Sequence, residues 1–388
     1  MKRALILLLT VFLALSWATA QAVTPMHLTA KDARSVAMGD AFTALASGYQ
    51  SLYGNPASFG VGRGMLTLAN ASVWGYIRPT TKNINDLTSM DFSNSTGTSA
   101  AIGTLNNLIT QNGLGAGAAA GLGFTGGGLG LGVTMVSEEY ARGNSLFGTN
   151  FTSATQANAV VGLAITLGTK TVGIKVGGDL RPFLRIEGSF PAITMITAMM
   201  GNSSTGGSSN PLDVLNNQPA LYGLGLAADL GAIINLGSLS AGLSIRDIAP
   251  PFKFYSTNFG VVINGGNATA NDRGITGQFV PDVTLGLGWT PKFIPGIIDP
   301  AVYFEVKDAI NVIKNNSSLF NLLHIGGELR LLSFVYLRGG MDQGWLSAGA
   351  GINLLILEAD VAAFTDELSK YPGNQGRSGI AANLRLHF

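Results

Sequence analysis

Cysteine is absent from the 388 residues, which excludes disulfides, iron–sulfur clusters, thiol catalysis and cysteine-ligated zinc. Histidine occurs only at His27, His324 and His387, in no metal or nucleophile spacing. Charge is scarce too: 12% of the residues are Asp, Glu, Lys or Arg, against about 25% in ordinary soluble proteins. That is too little charge to coat a conventional soluble surface. The 23 basic and 22 acidic residues leave a net +1, so nucleic acid finds no electrostatic hold. A membrane-spanning helix is missing as well, since the one long apolar candidate, Ala220 to Ile245, carries Asp229 and is broken by Gly223, Gly225, Gly231, Gly237 and Gly242. What the chain does have is glycine, 53 residues, about twice the usual share. Apolar residues stand at an ordinary 46%, which excludes a disordered chain.

Met1-Lys2-Arg3, the apolar run Ala4 to Trp17 and the small residues Ala18-Thr19-Ala20 read as a secretory signal peptide over residues 1–22. A retained anchor would need about 20 apolar residues to cross the hydrocarbon. The mature chain is expected to begin near Gln21 or Val23.

Beyond residue 63 the hydropathy alternates with period two. Ile380, Ala382, Leu384, Leu386 and Phe388 fall on one face, and Ala381, Asn383, Arg385 and His387 on the other. The same alternation sets Val302, Phe304 and Val306 against Tyr303, Glu305 and Lys307. About fourteen such segments are predicted, at 64–78, 114–125, 128–141, 155–168, 171–188, 218–235, 238–256, 278–290, 299–308, 320–332, 333–342, 345–355, 356–368 and 377–388. Most reach the 9–11 residues that a tilted membrane strand requires. Long connections alternate with very short ones such as Gly126-Gly127 and Leu236-Gly237, as in bacterial outer-membrane barrels with long external loops and short periplasmic turns. The fold class expected is all-β: a transmembrane antiparallel barrel over residues 64–388, integral to the bacterial outer membrane, with the bilayer and the outer-membrane assembly machinery as partners. A glycine-rich soluble sandwich or β-helix is the alternative, and it would present more charge on its outer faces.

Residues 23–63 differ in character. Asp32 to Leu45 suits a short helix with Phe42 among its apolar contacts, and Gly54-Asn55-Pro56-Ala57 carries turn chemistry. A compact apolar element beside a barrel interior reads as a plug. The run Ala33 to Ala46 followed by Tyr53-Gly54-Asn55-Pro56-Ala57 resembles the N-terminal hatch of the FadL/TodX long-chain fatty acid transporter superfamily, which also includes PorV-like barrels. The terminal Phe388, with Gly326 to Arg330 and Arg338 to Met341, is similar to the closing strands of that group, and the aromatic last residue to its assembly signal. The resemblance implies a fourteen-stranded barrel occluded by a hatch with gating at Phe42 and Gly54 to Ala57. It also implies passive uptake of hydrophobic small molecules of the long-chain fatty acid type with no cofactor, or, for a PorV-like member, a role in protein secretion with protein partners.

Three groups of residues stand as further candidates. Glu305, Lys307, Glu328, Arg330, Arg338, Glu358, Asp360 and Arg385 are predicted to face the lumen, either as a network that satisfies itself or as an anchor for the hatch. Phe190, Ile193, Ile196, Met199 and Met200 mark an apolar external loop, which either collects lipophiles or folds over the mouth. Pro182, within the charged series Lys175 to Glu187, and Pro250-Pro251 remove ladder donors and are expected at the rim, with a bulge or opening in the wall as the alternative. Gly121 to Gly126 spells a dinucleotide fingerprint but leads into another strand, so no enzyme or metal centre is expected.

Overall fold

The structure is a computed structural model that describes residues 23–26, 28–44, 46–91, 94–169, 171–194, 216–263 and 274–388. The leader, Ile196, Met199 and Met200 lie outside the described residues.

Sixteen strands form one antiparallel sheet: β1 (Met65–Tyr76), β2 (Leu114–Gly126), β3 (Leu129–Ala141), β4 (Asn150–Gly168), β5 (Val172–Pro191), β6 (Pro219–Leu236), β7 (Leu239–Ile248), β8 (Phe252–Asn258), β9 (Ile275–Gly277), β10 (Asp282–Trp289), β11 (Ile298–Val306), β12 (Leu323–Leu331), β13 (Val335–Asp342), β14 (Trp345–Leu354), β15 (Leu357–Glu367) and β16 (Gly376–His387). Fourteen of them close a ring, with β16 on β1 and β5 on β6, and β10 lying on β7. β8 prolongs β7 along β6, and β9 prolongs β10 along β8, so each pair is one barrel strand with a break in it. The expected count of fourteen is therefore the number of barrel strands. Phe388 completes the closure, its N–H and C=O bonding Leu66 of β1 at 2.8 and 3.0 Å.

The alternation sorts side chains between two media. Leu122, Val133, Val161, Leu163, Leu180, Leu230, Leu287 and Val361 stand exposed around the outside, while Thr134, Asn158, Asp229, Ser244 and Arg385 are buried inside the ring. A closed sheet leaves no free strand edge, so such an apolar exterior belongs in hydrocarbon. At the long-loop end, the first loop carries helices α1 and α2, at Thr81–Thr88 and Ser95–Gln111. Leu105 and Ile109 pack with Leu146, Phe151 and Phe190, and the rings of Phe151 and Phe190 stack at 5.9 Å. Phe190 is thus buried and Ile193 packs beside it; the described part of the apolar loop folds over itself.

Neither proline site lies at a rim. Pro182 sits within β5 opposite Leu226, and the β4–β5 ladder omits the two pairs at Arg181 and Pro182 without changing register, because proline has no N–H to give. Pro250 and Pro251 occupy the break between β7 and β8, with 278–281 forming the matching break between β9 and β10. At the same level Asp247 takes a left-handed conformation (φ +58°) at a bulge between β6 and β7. The wall tolerates these defects because the neighbouring ladders resume above and below.

Candidate functional site

The described residues between 28 and 60 are buried or half-buried inside the ring. Asp32 caps the five-residue helix Ala33–Ala37 by accepting from Arg34 N and Ser35 N at 3.0 and 3.4 Å. The chain then reverses through Gly39 and Asp40, both near φ +60°, and forms two short 3₁₀ turns, Gly48–Leu52 and Pro56–Gly60. Proline at the first position of the second turn has its φ preset, and Asn55 caps it through Oδ1 to Ala57 N at 3.0 Å.

Glycines in the wall make room for this segment. A Cβ on Gly121 would lie 1.9 Å from the Tyr49 hydroxyl, on Gly231 1.9 Å from Asn55 Oδ1, on Gly340 2.2 Å from Gly39 N, and on Gly162 2.4 Å from the Phe59 ring. These four come from β2, β6, β13 and β4, so the contact encircles the segment. Part of the glycine excess is the imprint of what the barrel holds.

Polar ties finish the fit. Asn55 is fully buried, and its Nδ2 lies 3.2 Å from Thr43 O, 3.3 Å from Ala232 O of β6 and 3.2 Å from Leu243 O of β7. The motif therefore joins the segment to two wall strands. Arg385 donates to Asp32 at 2.9 Å, to Glu358 at 2.8 Å and to Asn70 at 3.0 Å. Arg34 donates to Glu328 at 3.1 Å, Arg338 reaches the same carboxylate at 2.7 Å, and its other end holds Asp360 at 2.5 Å. Glu305 accepts from the Thr43 N–H and, at 3.1 Å, from its hydroxyl. Lys307 pairs with Asp40 at 2.8 Å and lies 5.2 Å from the Phe42 ring centroid. Burial disfavours the Asp40 charge, yet Lys307 and Lys31 outweigh it and hold the carboxyl below its ordinary range.

Seven of the eight predicted lumen charges thus belong to networks that reach the inserted segment. Arg330 does not: it pairs with Asp299 at 2.5 Å near the short-turn end, partly exposed. Sequence reasoning missed the segment's own partners, Asp32, Arg34 and Asp40. Asp32 had a legible signal as the acid before an alanine-rich helix. It missed also a second cluster, in which Arg181 pairs with Asp229 at 3.1 Å and with Asp247, while Arg246 pairs with Asp229 at 3.3 Å and donates to Tyr53 O. That cluster forms only when β5, β6 and β7 come together. His324 Nδ1 lies 2.9 Å from Gly39 O and 3.1 Å from Asp342.

Above the segment lies a cavity of about 630 Å³, lined mainly by polar groups such as Thr134, Gln156, Asn158, Arg185, Arg246 and Asp282. On one side it reaches Phe279 and Val280, at the break in the wall. There Phe183, Phe252, Phe254 and Phe279 form an aromatic group, with Phe279 5.3 Å from Phe183 and 5.4 Å from Phe252. Val23 stands at the same place, its N–H bonded to Thr276 O at 2.8 Å and its C=O to Gln278 N at 3.1 Å. Among the described residues no group of three His, Asp or Glu side chains is placed to hold a metal ion.

No family model matches the sequence, and no curated protein does. Solved structures are similar over nearly the whole chain. The toluene transporter TodX of P. putida is 12% identical, with 93% of this chain and 99% of that one covered and a TM-score of 0.47. The toluene transporter TbuX of Ralstonia pickettii is 13% identical, covering 93% and 98%, at 0.49. A FadL homologue of Pseudomonas aeruginosa is 10% identical, covering 95% and 99%, at 0.43. The fourteen-stranded antiparallel barrel expected from the sequence is the one present here.

Proposed function

We propose that this chain is an outer-membrane channel for small amphiphiles of the long-chain fatty acid type, closed below by its N-terminal hatch. Substrate enters the polar cavity, meets the aromatic group around Phe279, and passes sideways through the break at 249–251 and 278–281. The carrying observation is that the cavity lining extends to Phe279 and Val280, where the strands are interrupted. A polar chamber beside an aromatic threshold suits a molecule with one wet end and one apolar body. The exposed apolar exterior supports lipid as the medium on the far side of the wall, and the falling chemical potential of the substrate supplies the drive.

The absence of native cysteine gives a clean test. Val280→Cys, blocked with a bulky maleimide, is expected to abolish uptake of a fluorescent long-chain fatty acid by cells producing the protein. Thr171→Cys, at a short turn, is expected to leave uptake unchanged after the same treatment. Undiminished uptake through the blocked Val280→Cys protein would overturn the sideways path. A protein partner retained through native extraction, with no fatty acid uptake at all, would turn the reading toward a PorV-like secretion component.

A further inference from the structure

The short turns on one half of the ring differ from those on the other. Gly126-Gly127-Gly128 and the 169–171 turn are small or polar. The turns joining β10 to β11, β12 to β13 and β14 to β15 carry Phe293, Ile294, Leu332, Phe334, Leu355 and Ile356, all exposed. Leu332 and Leu355 hold left-handed backbone, φ +51° and +49°, and are 60% and 95% exposed. Tight turns normally give such positions to glycine, asparagine or aspartate, because a larger Cβ crowds the backbone there. Leucine at the tip of two neighbouring turns, without packing inside the protein, is therefore costly in water on two counts.

The tips are joined to one another. Leu332 N donates to Ile297 O at 3.0 Å, Ser333 Oγ to Gly296 O at 2.7 Å, and Asn353 N to Phe334 O at 2.8 Å. Below them the exposed Leu337, Ile352 and Leu357 carry the apolar belt of the wall straight up to the tips. That belt is the face the closed ring turns to hydrocarbon, so its unbroken extension onto the tips points to the same medium.

We infer that these three turns form an apolar apron immersed in the lipid leaflet at the short-turn end. The barrel then sits deeper in the membrane on the β10–β15 side than on the β2–β5 side. This inference rests on the barrel spanning a bilayer and is independent of what the channel carries.

The test uses the full mature chain in nanodiscs of phosphatidylethanolamine and phosphatidylglycerol, with or without brominated acyl chains. An environment-sensitive fluorophore on Leu355→Cys is expected to be quenched roughly twofold by brominated lipid, and one on Thr171→Cys hardly at all. Equal, weak quenching at both sites overturns the proposal. The double variant Leu332→Asn, Leu355→Asn suits the left-handed backbone, so its barrel keeps its heat-resistant gel mobility. A label on Phe293→Cys in that background is expected to lose quenching. A dimer or protein complex that shields Leu355 from water without lipid quenching, and that the double variant dissolves, overturns the lipid assignment in favour of a protein-covered face.

Discussion

Asn55 shows how one side chain ties the inserted segment to the wall. Its amide lies among carbonyls of the hatch, β6 and β7, and its carbonyl caps the following turn. An alanine there removes the ties to the two wall strands and leaves the buried Ala57 N–H without its cap, at a cost of about 1–3 kcal/mol where no water replaces it. The ring's own ladder bonds are untouched. Asn55→Ala is expected to loosen the hatch while the barrel keeps its heat-resistant mobility; single-channel recording would show brief openings absent from the parent protein. The wall glycines act at the same scale in the opposite sense, since they contribute by having no side chain where Tyr49, Asn55, Phe59 and Gly39 approach.

Among the elements, the inserted segment is held both by apolar packing of Val36, Met38, Leu52 and Phe59 and by charge pairs with the wall. Asp40 titrates below its ordinary range because its pair with Lys307 and the nearby charge of Lys31 outweigh the desolvation of burial. A carboxyl depressed in the docked state contributes stability that is present above its free value, about 4, and lost as pH falls through the depressed one. Docking of the Ala33–Leu52 region is therefore expected to weaken as pH drops below about 4, seen as faster hydrogen exchange there while the strands stay protected. Exchange in this segment that is flat with pH would exclude the Asp40 pair as a hold. The interrupted strands are the second informative element. Pro250-Pro251 and the 278–281 break fall at one level, beside the Asp247 bulge and the ladder gap at Pro182, so four defects from three stretches of sequence meet in one sector of the wall.

For the whole molecule, barrel and hatch are separable in energy. The closed ring satisfies its backbone strand to strand, and removal of the segment exposes Glu305, Glu358 and Arg385 to water filling the lumen, where charges are cheaply solvated. A chain lacking residues 24–60 is expected to assemble and to conduct ions steadily, at least about tenfold above the parent protein in planar bilayers. Failure of that variant to form a heat-resistant barrel would mean that the segment is part of the folding core.

By itself the sequence determined the class of the fold. Period-two alternation, scarce charge and unequal connection lengths are local properties, and they placed the barrel strands to within a few residues, except where β7–β8 and β9–β10 break. The apolar or polar identity of a residue two places away decides which face it joins, so no tertiary knowledge was needed. The sequence also marked Glu305, Lys307, Glu328, Arg338, Glu358, Asp360 and Arg385 as inward charges. Only the tertiary structure decided what they hold. Asp32 meets Arg385 across 353 positions, and a partner that far away is chosen by closure of the ring and by the depth at which the segment lodges. Pro182 and Pro250-Pro251 read as rim residues because proline alone argues for an edge. The barrel instead places them in the wall, since ladders that resume on both sides can carry a local loss of hydrogen bonds that an isolated strand could not.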